Sequence, residues 1–459
     1  MKVLLPLTAL IATAAAAATA CVDQPIPVGT RGEGQFALVV DVPPEINRDL
    51  DLLFVVDNTR TMAARQLALE HSFANLIAHL EFAEGGMPNL HIGVVSTDLG
   101  AAGYEVPGCG LVGDAGALQA EPRVPGCEAP TDAFIRDYQL GVDELRDTNY
   151  GGPGLTEAFQ CVSLLGTEGC SFEQPLESMR LALDGFSAAN QGFNRPNAAL
   201  GVVILTDEDD CSVTNPGLFD PMLDGTNELS KFRCFSHGVT CEGDDVRLEG
   251  EYTDCIPKED SQYLASVASY ARFVDGLKAD PTNVVVTGMI GEADLVEVQV
   301  TVDDRPQLVP ACSDSSGDAY PAVRLQHFLD QTRQGGEVSP LCGSQPLGAL
   351  SSTARKLRKV LGTHCLDGDL VDADDELVGL QPDCFVYDRA PDGTTTDIPA
   401  CANPSNPQGS AVVPCYAIKT GPAECGDFMP HQLALQVWRG RWDAAQPPGT
   451  HTLGKCLVK

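Results

Sequence analysis

Four short apolar runs constrain this chain more than anything else in its 459 residues: LLFVV (52–56), IGVV (92–95), GVVIL (201–205) and VVV (284–286). None alternates apolar with polar residues as a half-exposed strand does. Each is therefore expected inside a parallel sheet covered on both faces. The segments between them carry helical spacing. Over 62–82, Leu69, Phe73, Leu76 or Ile77, and Leu80 share one face. FEQPLESMRLAL (172–183) places Pro175 where only a first helical turn tolerates it. Residues 261–278 repeat Tyr263, Val267, Tyr270, Val274 and Leu277 at spacings of three and four. Two further helices are expected near 320–333 and 347–361, with a short strand, GEVSPLC (336–342), between them. Strands alternating with helices imply βαβ units, so the expected fold is α/β with a doubly wound, mostly parallel, Rossmann-like sheet over 48–363.

Two inserts interrupt that alternation, at about 101–130 and about 209–258. Both begin where a strand ends at its carboxyl side, the edge on which open α/β sheets carry their sites. Both contain cysteines, the first Cys109 and Cys127, the second Cys211, Cys234, Cys241 and Cys255. From 364 to 459 helical periodicity disappears, Pro, Gly, Asp and Thr accumulate, and six cysteines occur. A small disulfide-stapled, β-rich module is expected there. Its acidic run DGDLVDADDE (367–376) does not have EF-hand spacing and reads as a solvated turn.

The first 21 residues join one lysine, an apolar run and small residues ahead of Cys21, the pattern of an export signal. Two processing routes stay open. Ala18-Thr19-Ala20 satisfies the rule for ordinary secretion, and the same residues followed by Cys21 resemble a bacterial lipobox whose cysteine is lipidated. Residues 22–47 read as a tether with one short strand, QFALVVDV (35–42). Of 17 cysteines, those other than Cys21 form an even set, scattered singly and without a CxxC pair. That distribution fits disulfides in an oxidising compartment and not zinc ligation. With 29 basic against 64 acidic residues the net charge is −35, and no basic stripe exists to neutralise phosphates. Nucleic acid is excluded as a partner on that ground.

The strand ends carry the chemistry. LLFVV runs into Asp57, followed by Thr59 and Thr61, and GVVIL runs through Thr206 into Asp207. These side chains offer only oxygen, the donor that hard Mg²⁺ or Ca²⁺ prefers. In a tight turn alternate residues face one side, so Asp57, Thr59 and Thr61 are expected to converge while Asn58 and Arg60 point away. Asp207 would supply the second carboxylate from the neighbouring strand. The competing expectation is that Asp57 and Thr59 merely cap the next helix. Asp98, after the second strand, reads as a solvent-facing turn acid or at most as a group behind the metal. His91, within that strand, reads as a core or edge residue.

Asp57-Asn58-Thr59-Arg60-Thr61 matches D-x-[ST]-x-[ST], and Leu205-Thr206-Asp207 matches the LTD segment, of the von Willebrand factor A-type domain. The chain resembles that family over about 48–363. The resemblance implies a metal-ion-dependent adhesion site that holds Mg²⁺ or Ca²⁺ and binds a protein ligand whose acidic group completes the coordination. It also implies a hydroxyl from a second loop. Here that loop reads GTEGCSFEQPL, so Ser171 is the expected donor, with Thr167 next. Cys170 beside it is expected in a disulfide, with Cys161 as a candidate partner.

Enzymatic alternatives lack their residues. Thr59 stands where a haloacid-dehalogenase-type phosphatase needs its second aspartate. GCGLVG (108–113) does not lie between a strand and a helix as a dinucleotide loop must. No P-loop and no G-x-S-x-G occurs. The expectation is thus an exported, lipid-anchored surface protein of the cell envelope that is not an enzyme and touches the membrane only through its lipid. A metal-free scaffold of the same fold and a divalent-metal hydrolase are the alternatives.

Overall fold

The computed structural model describes residues 37–42, 48–81, 83, 86–140, 145–223, 231–243, 245–343, 346–361, 365–366, 369–373, 382–390, 392–402, 412–420, 433–439 and 450–458. The signal segment and Cys21 lie outside them, as does half of the acidic run at 367–376.

The chain's first described strand is β1 (Ala37–Val42), and it belongs to the C-terminal module described below. Seven strands then build the main sheet: β2 (Asp49–Val56), β3 (Asn89–Ser96), β4 (Ile135–Gln139), β5 (Arg146–Thr148), β6 (Ala199–Leu205), β7 (Val284–Ile290) and β8 (Glu337–Pro340). Their spatial order is β8-β7-β6-β2-β3-β4-β5. The first five in that order run parallel, and β4 and β5 add an antiparallel edge. The four apolar runs are the four central strands, buried along nearly their whole length. The chain starts at β2, steps to β3 on one side, then crosses to β6 on the other. A crevice must open outside the carboxyl ends of β2 and β6, because the connections leave in opposite directions there.

Helices cover both faces. α1 (Ala63–Leu80), α2 (Leu155–Ser163) and α7 (Pro346–Val360) pack on one, burying Phe54, Phe73, Phe159 and Leu357 together. The Phe73 and Phe159 rings stack with centroids 3.9 Å apart. α3 (Pro175–Leu183), α5 (Val267–Asp275) and α6 (Val323–Gln331) cover the other face, against Leu53, Val55, Val202 and Ile204. Each such fully buried side chain contributes about 1.5–3 kcal/mol. Successive residues of β2 feed opposite cores, which is why its sequence is apolar without alternation.

One expectation on extent is corrected. α5 begins at Val267 and not at 261, because the Ser266 side chain accepts from Ser269 N–H and caps it, while Tyr263 and Leu264 lie in the preceding loop. α2 and the β4–β5 pair were not anticipated. Among the described residues no helix is long and apolar enough to cross a membrane.

The C-terminal module holds β9 (Cys365–Leu366), β10 (Cys384–Arg389), β11 (Thr395–Ile398), β12 (Cys415–Thr420), β13 (Leu433–Trp438) and β14 (His451–Leu457). They form two antiparallel sheets, β1-β14-β10-β11 and β9-β13-β12. Cys384–Cys456 and Cys401–Cys415 staple them. The short strand expected within the tether is thus β1, paired to β14 from Ala37 opposite Leu457 to Val42 opposite Thr452.

Candidate metal centre at the carboxyl edge of the sheet

In-register pairing sets Val56, Leu205 and Ser96 side by side. The residues that follow them, Asp57, Thr206–Asp207 and Thr97, are therefore delivered to one place. The ladder extends a residue further, since Asp57 N–H donates to Leu205 O at 2.9 Å and Thr97 N–H to Val56 O at 3.3 Å. Tyr320 N–H then fixes Asp207 through its carbonyl at 2.8 Å.

The Asp57 turn converges as its spacing requires. Asp57 Oδ1 accepts from Thr59 N–H at 2.8 Å and from Thr59 Oγ1 at 2.7 Å. Asp57 Oδ2 accepts from Thr206 Oγ1 at 2.9 Å. Thr59 Oγ1 lies 3.4 Å from Thr61 Oγ1, and the Thr61 hydroxyl donates to the Asp207 carboxylate. Thr59 occupies the N-cap position of the 3₁₀ turn Arg60–Met62, yet its side chain makes no capping bond. The capping alternative is thereby set aside for Thr59. Asp57, Thr59 and Asp207 are buried, whereas Thr61 is exposed and forms the open rim. Arg60 is exposed and Asn58 is buried. Asn58 lies beneath Gly169, where an added Cβ would stand 2.2 Å from Asn58 Oδ1.

Burial and the neighbouring Asp207 charge push the Asp57 carboxyl up to about 6, against the pull of its threonine hydrogen bonds. Asp207 is raised as well, first by burial. Two acids the sequence did not single out join them. Glu173 is 1% exposed and raised well above the usual range by burial, then by Glu208. Glu208 is pushed up to about 7, again chiefly by burial. The counter-charge is Lys231, whose Nζ is bonded to Glu208 and lies 3.5 Å from Glu173 Oε1. Burial works against the Lys231 charge, but Glu173 and Glu208 outweigh it and hold the ammonium firmly protonated.

The second loop differs from expectation. Gly169 N–H donates to Asn58 O at 2.9 Å, and Gln66 Nε2 bridges Asp57 O at 2.8 Å and Gly166 O at 2.9 Å. The loop is thus seated on the Asp57 turn. No hydrogen bond joins half-buried Ser171 or Thr167 to Asp57, Thr59, Thr61 or Asp207 among the described residues. The buried carboxylate of the loop is Glu173, whose carbonyl accepts from Cys211 N–H at 2.8 Å. Cys170 pairs with Cys109, and Cys161 with Cys127. The expected Cys161–Cys170 bond is therefore corrected: Cys170 ties the first insert to the second loop, and Cys161 ties it to α2. In the second insert Cys211 pairs with Cys234, and Cys241 with Cys255.

The acidic run after β6 is divided among separate tasks. Asp209 accepts from Arg324 N–H at 3.0 Å and Leu325 N–H at 3.1 Å, capping α6. Asp210 accepts from Leu176 N–H at 3.1 Å in the first turn of α3 and pairs with Arg324 Nη2 at 3.0 Å. Asp98 is corrected from a solvent-facing acid to a buried one. Its carboxylate takes the N–H of Gly100 at 2.8 Å and that of Cys170, so it braces the first insert. His91 is a buried residue of the opposite edge, its Nδ1 donating to Phe193 O at 2.8 Å.

The residues present fit a hard divalent cation. Among the described residues no group of three or more His, Cys, Asp or Glu side chains is arranged to hold a metal by itself, so hydroxyls must complete any shell. Asp207 Oδ1 and Thr97 Oγ1 are buried and lack hydrogen-bond partners. Orphaned buried acceptors cost about 1–3 kcal/mol each, more when charged. Asp57, Asp207, Thr59 and Thr61 would hold the ion, with Thr61 at the exposed rim.

No protein-family model matches the chain, and no curated protein does. Among solved structures it is similar to the von Willebrand factor type A structure from Catenulispora acidiphila, with 12% identity and TM-score 0.30 over 93% of this chain and 62% of that one. The pilus adhesin SpaC from Lactobacillus rhamnosus GG in its open conformation gives 11% identity and TM-score 0.30, over 94% of this chain and 41% of that one. Proximal thread matrix protein 1 from the mussel byssus gives 9% identity and TM-score 0.30, over 72% of this chain and 51% of that one. The chain thus spans less than two thirds of the length of each. At these TM-scores the likenesses carry no weight beside the sheet order and the geometry of the site.

Proposed function

We propose that this is an exported surface protein whose α/β domain binds a protein partner through Mg²⁺ or Ca²⁺ held by Asp57, Thr59, Thr61 and Asp207. Asp207 Oδ1 carries the reading: a buried carboxylate oxygen without a partner, near a second buried carboxylate that two threonine hydroxyls orient. The partner would bring an acidic side chain to the Thr61 rim, as the family resemblance implies. The chain's net charge of −35 opposes long-range approach of such a partner, but salt screens that repulsion beyond about 8 Å. Lipidation at Cys21 would tether the protein to the cell envelope, and secretion follows if that cysteine is not modified. Binding and not catalysis is the role proposed.

Calorimetric titration with Mg²⁺ and with Ca²⁺ tests the reading. Wild type should bind one equivalent of cation, and Asp57→Ala should lose that binding while keeping its fold. Equal responses from the two proteins would overturn it. One observation favours a second reading, a metal-free scaffold: the Lys231 ammonium already supplies a positive charge at this edge.

A further inference from the structure

Lys231 is unusual in three respects. It occupies the N-cap position of α4 (Phe232–Gly238), where the positive end of the helix dipole disfavours a cation. It reaches two carboxylates on different loops, Glu208 after β6 and Glu173 before α3, whose side chains are only 16% and 2% exposed. Its own side chain is 40% exposed, so the stem lies along the surface while the ammonium turns inward. Nothing in α4 itself explains this placement; the acids do.

The backbone beneath Lys231 is held firmly. Cys234, three residues on, is bonded to Cys211, four residues after Asp207. Arg233 donates to Leu218 O at 3.1 Å and to Asp220 O at 2.7 Å. The side chain is thus a half-exposed charge on a fixed base, within interaction range of Asp207, Glu173 and Glu208. Glu173 Oε1 still lacks a hydrogen-bond partner, so the ammonium only partly satisfies this edge.

We propose that Lys231 is a tethered counter-cation that competes with the divalent metal, occupying the acidic edge when it is metal-free and swinging out when a divalent ion is held. The inference rests on the metal reading above and adds what sets its affinity. Two cationic centres on one edge repel each other in a partly desolvated site. The exposed stem lets Lys231 leave without repacking a core. Glu208 and Glu173, relieved of the ammonium, then add negative charge behind the metal.

Two measurements test it on the full exported chain. In calorimetric titration with Mg²⁺, Lys231→Met should bind at least about ten-fold more tightly than wild type, and Lys231→Arg, which keeps the charge, should stay within a few-fold of it. In wild type, an amine-acylating reagent followed by peptide mapping should label Lys231 several-fold faster with saturating Mg²⁺ than with chelator. This second readout needs no variant to fold. Unchanged or weaker binding by a folded Lys231→Met, or labelling indifferent to Mg²⁺, overturns the proposal and leaves the metal reading standing. Absence of binding by wild type and Lys231→Met alike overturns both.

Discussion

Thr206 Oγ1 donates to Asp57 Oδ2 at 2.9 Å, joining the ends of two neighbouring strands across 149 residues of sequence. Both groups are fully buried. The bond does two things: it orients the carboxylate that begins the site, and it opposes the burial that would protonate that carboxylate. Thr206→Val keeps the shape and removes the donor. Loss of a buried hydrogen bond to a charged acceptor costs about 1.5–3 kcal/mol. Urea denaturation should show that loss, and titration should show weaker Mg²⁺ binding, because a carboxyl that protonates more readily holds a cation less well. Thr206→Ser should recover most of both.

The long-range pairing of Asp57 with Asp207 was legible because two period-free apolar runs each end in an oxygen-bearing turn, and parallel register brings such ends together. The doubly wound order followed from the same runs. What was not legible depends on side-chain direction within loops. Ser171 and Glu173 stand two residues apart, and only the bonds of residues 166–174 to Asn58, Gln66, Thr97 and Cys211 decide which is turned in. Lys231 lies in an insert with no period, so no pattern could attach it to Glu208. One signal was available: four successive acids, 207 to 210, placed at a buried strand end require cations, and Lys231 and Arg324 supply them. Disulfide pairing is equally a property of loop paths, which is why Cys170 joins Cys109 across 61 residues instead of nearby Cys161.

Gly169 seats the second loop on the Asp57 turn, and the contact leaves no room for a side chain. A Cβ there would lie 2.2 Å from Asn58 Oδ1 and 2.9 Å from the Asn58 carbonyl oxygen. Gly169→Ala should therefore shift the loop and cost about 1–3 kcal/mol, in the range of other overpacking changes. Thermal unfolding measures the loss. Adding Asn58→Ala should recover only part of it, because the clash with the carbonyl remains. Full recovery by the double variant would show that the backbone approach is looser than described.

Arg324 and Asp210 form an ion pair in which both side chains are fully buried, at 3.0 Å. Arg324 also donates to Ala265 O at 2.8 Å, so it ties the acidic run to the segment before α5. Arg324→Met leaves a buried carboxylate without its charge partner and should cost about 3–5 kcal/mol. Arg324→Met combined with Asp210→Asn should cost clearly less than the sum of the two single changes, since the charge imbalance disappears. Additive losses in the double-mutant cycle would mean that the pair is not coupled.

The opposite edge of the sheet predicts an acid-sensitive limb of stability centred on His91. Burial lowers its pKa from 6.5 to about 4, against the hydrogen bond to Phe193 O. Asp51 lies 3.6 Å from its Nδ1, the Tyr138 hydroxyl meets its Nε2, and Arg195 and Arg136 bring positive charge nearby. A histidine whose folded pKa is depressed contributes stability that is fully present above its unfolded pKa. That stability is lost as pH falls from about 6.5 through about 4, because the unfolded chain binds the proton more readily. A shift of this size corresponds to at most about 3 kcal/mol. Asp51, raised chiefly by burial, works in the opposite direction over the acidic range, so the raw pH profile mixes the two. Comparing wild type with His91→Gln isolates the histidine, since glutamine keeps an amide donor and acceptor without titrating. The stability difference between the two proteins, read from urea denaturation at each pH, should be constant above pH 7 and shift against wild type on acidification to pH 4. A difference that stays flat across that range would show that His91 titrates normally and that its burial does not govern the acid limb.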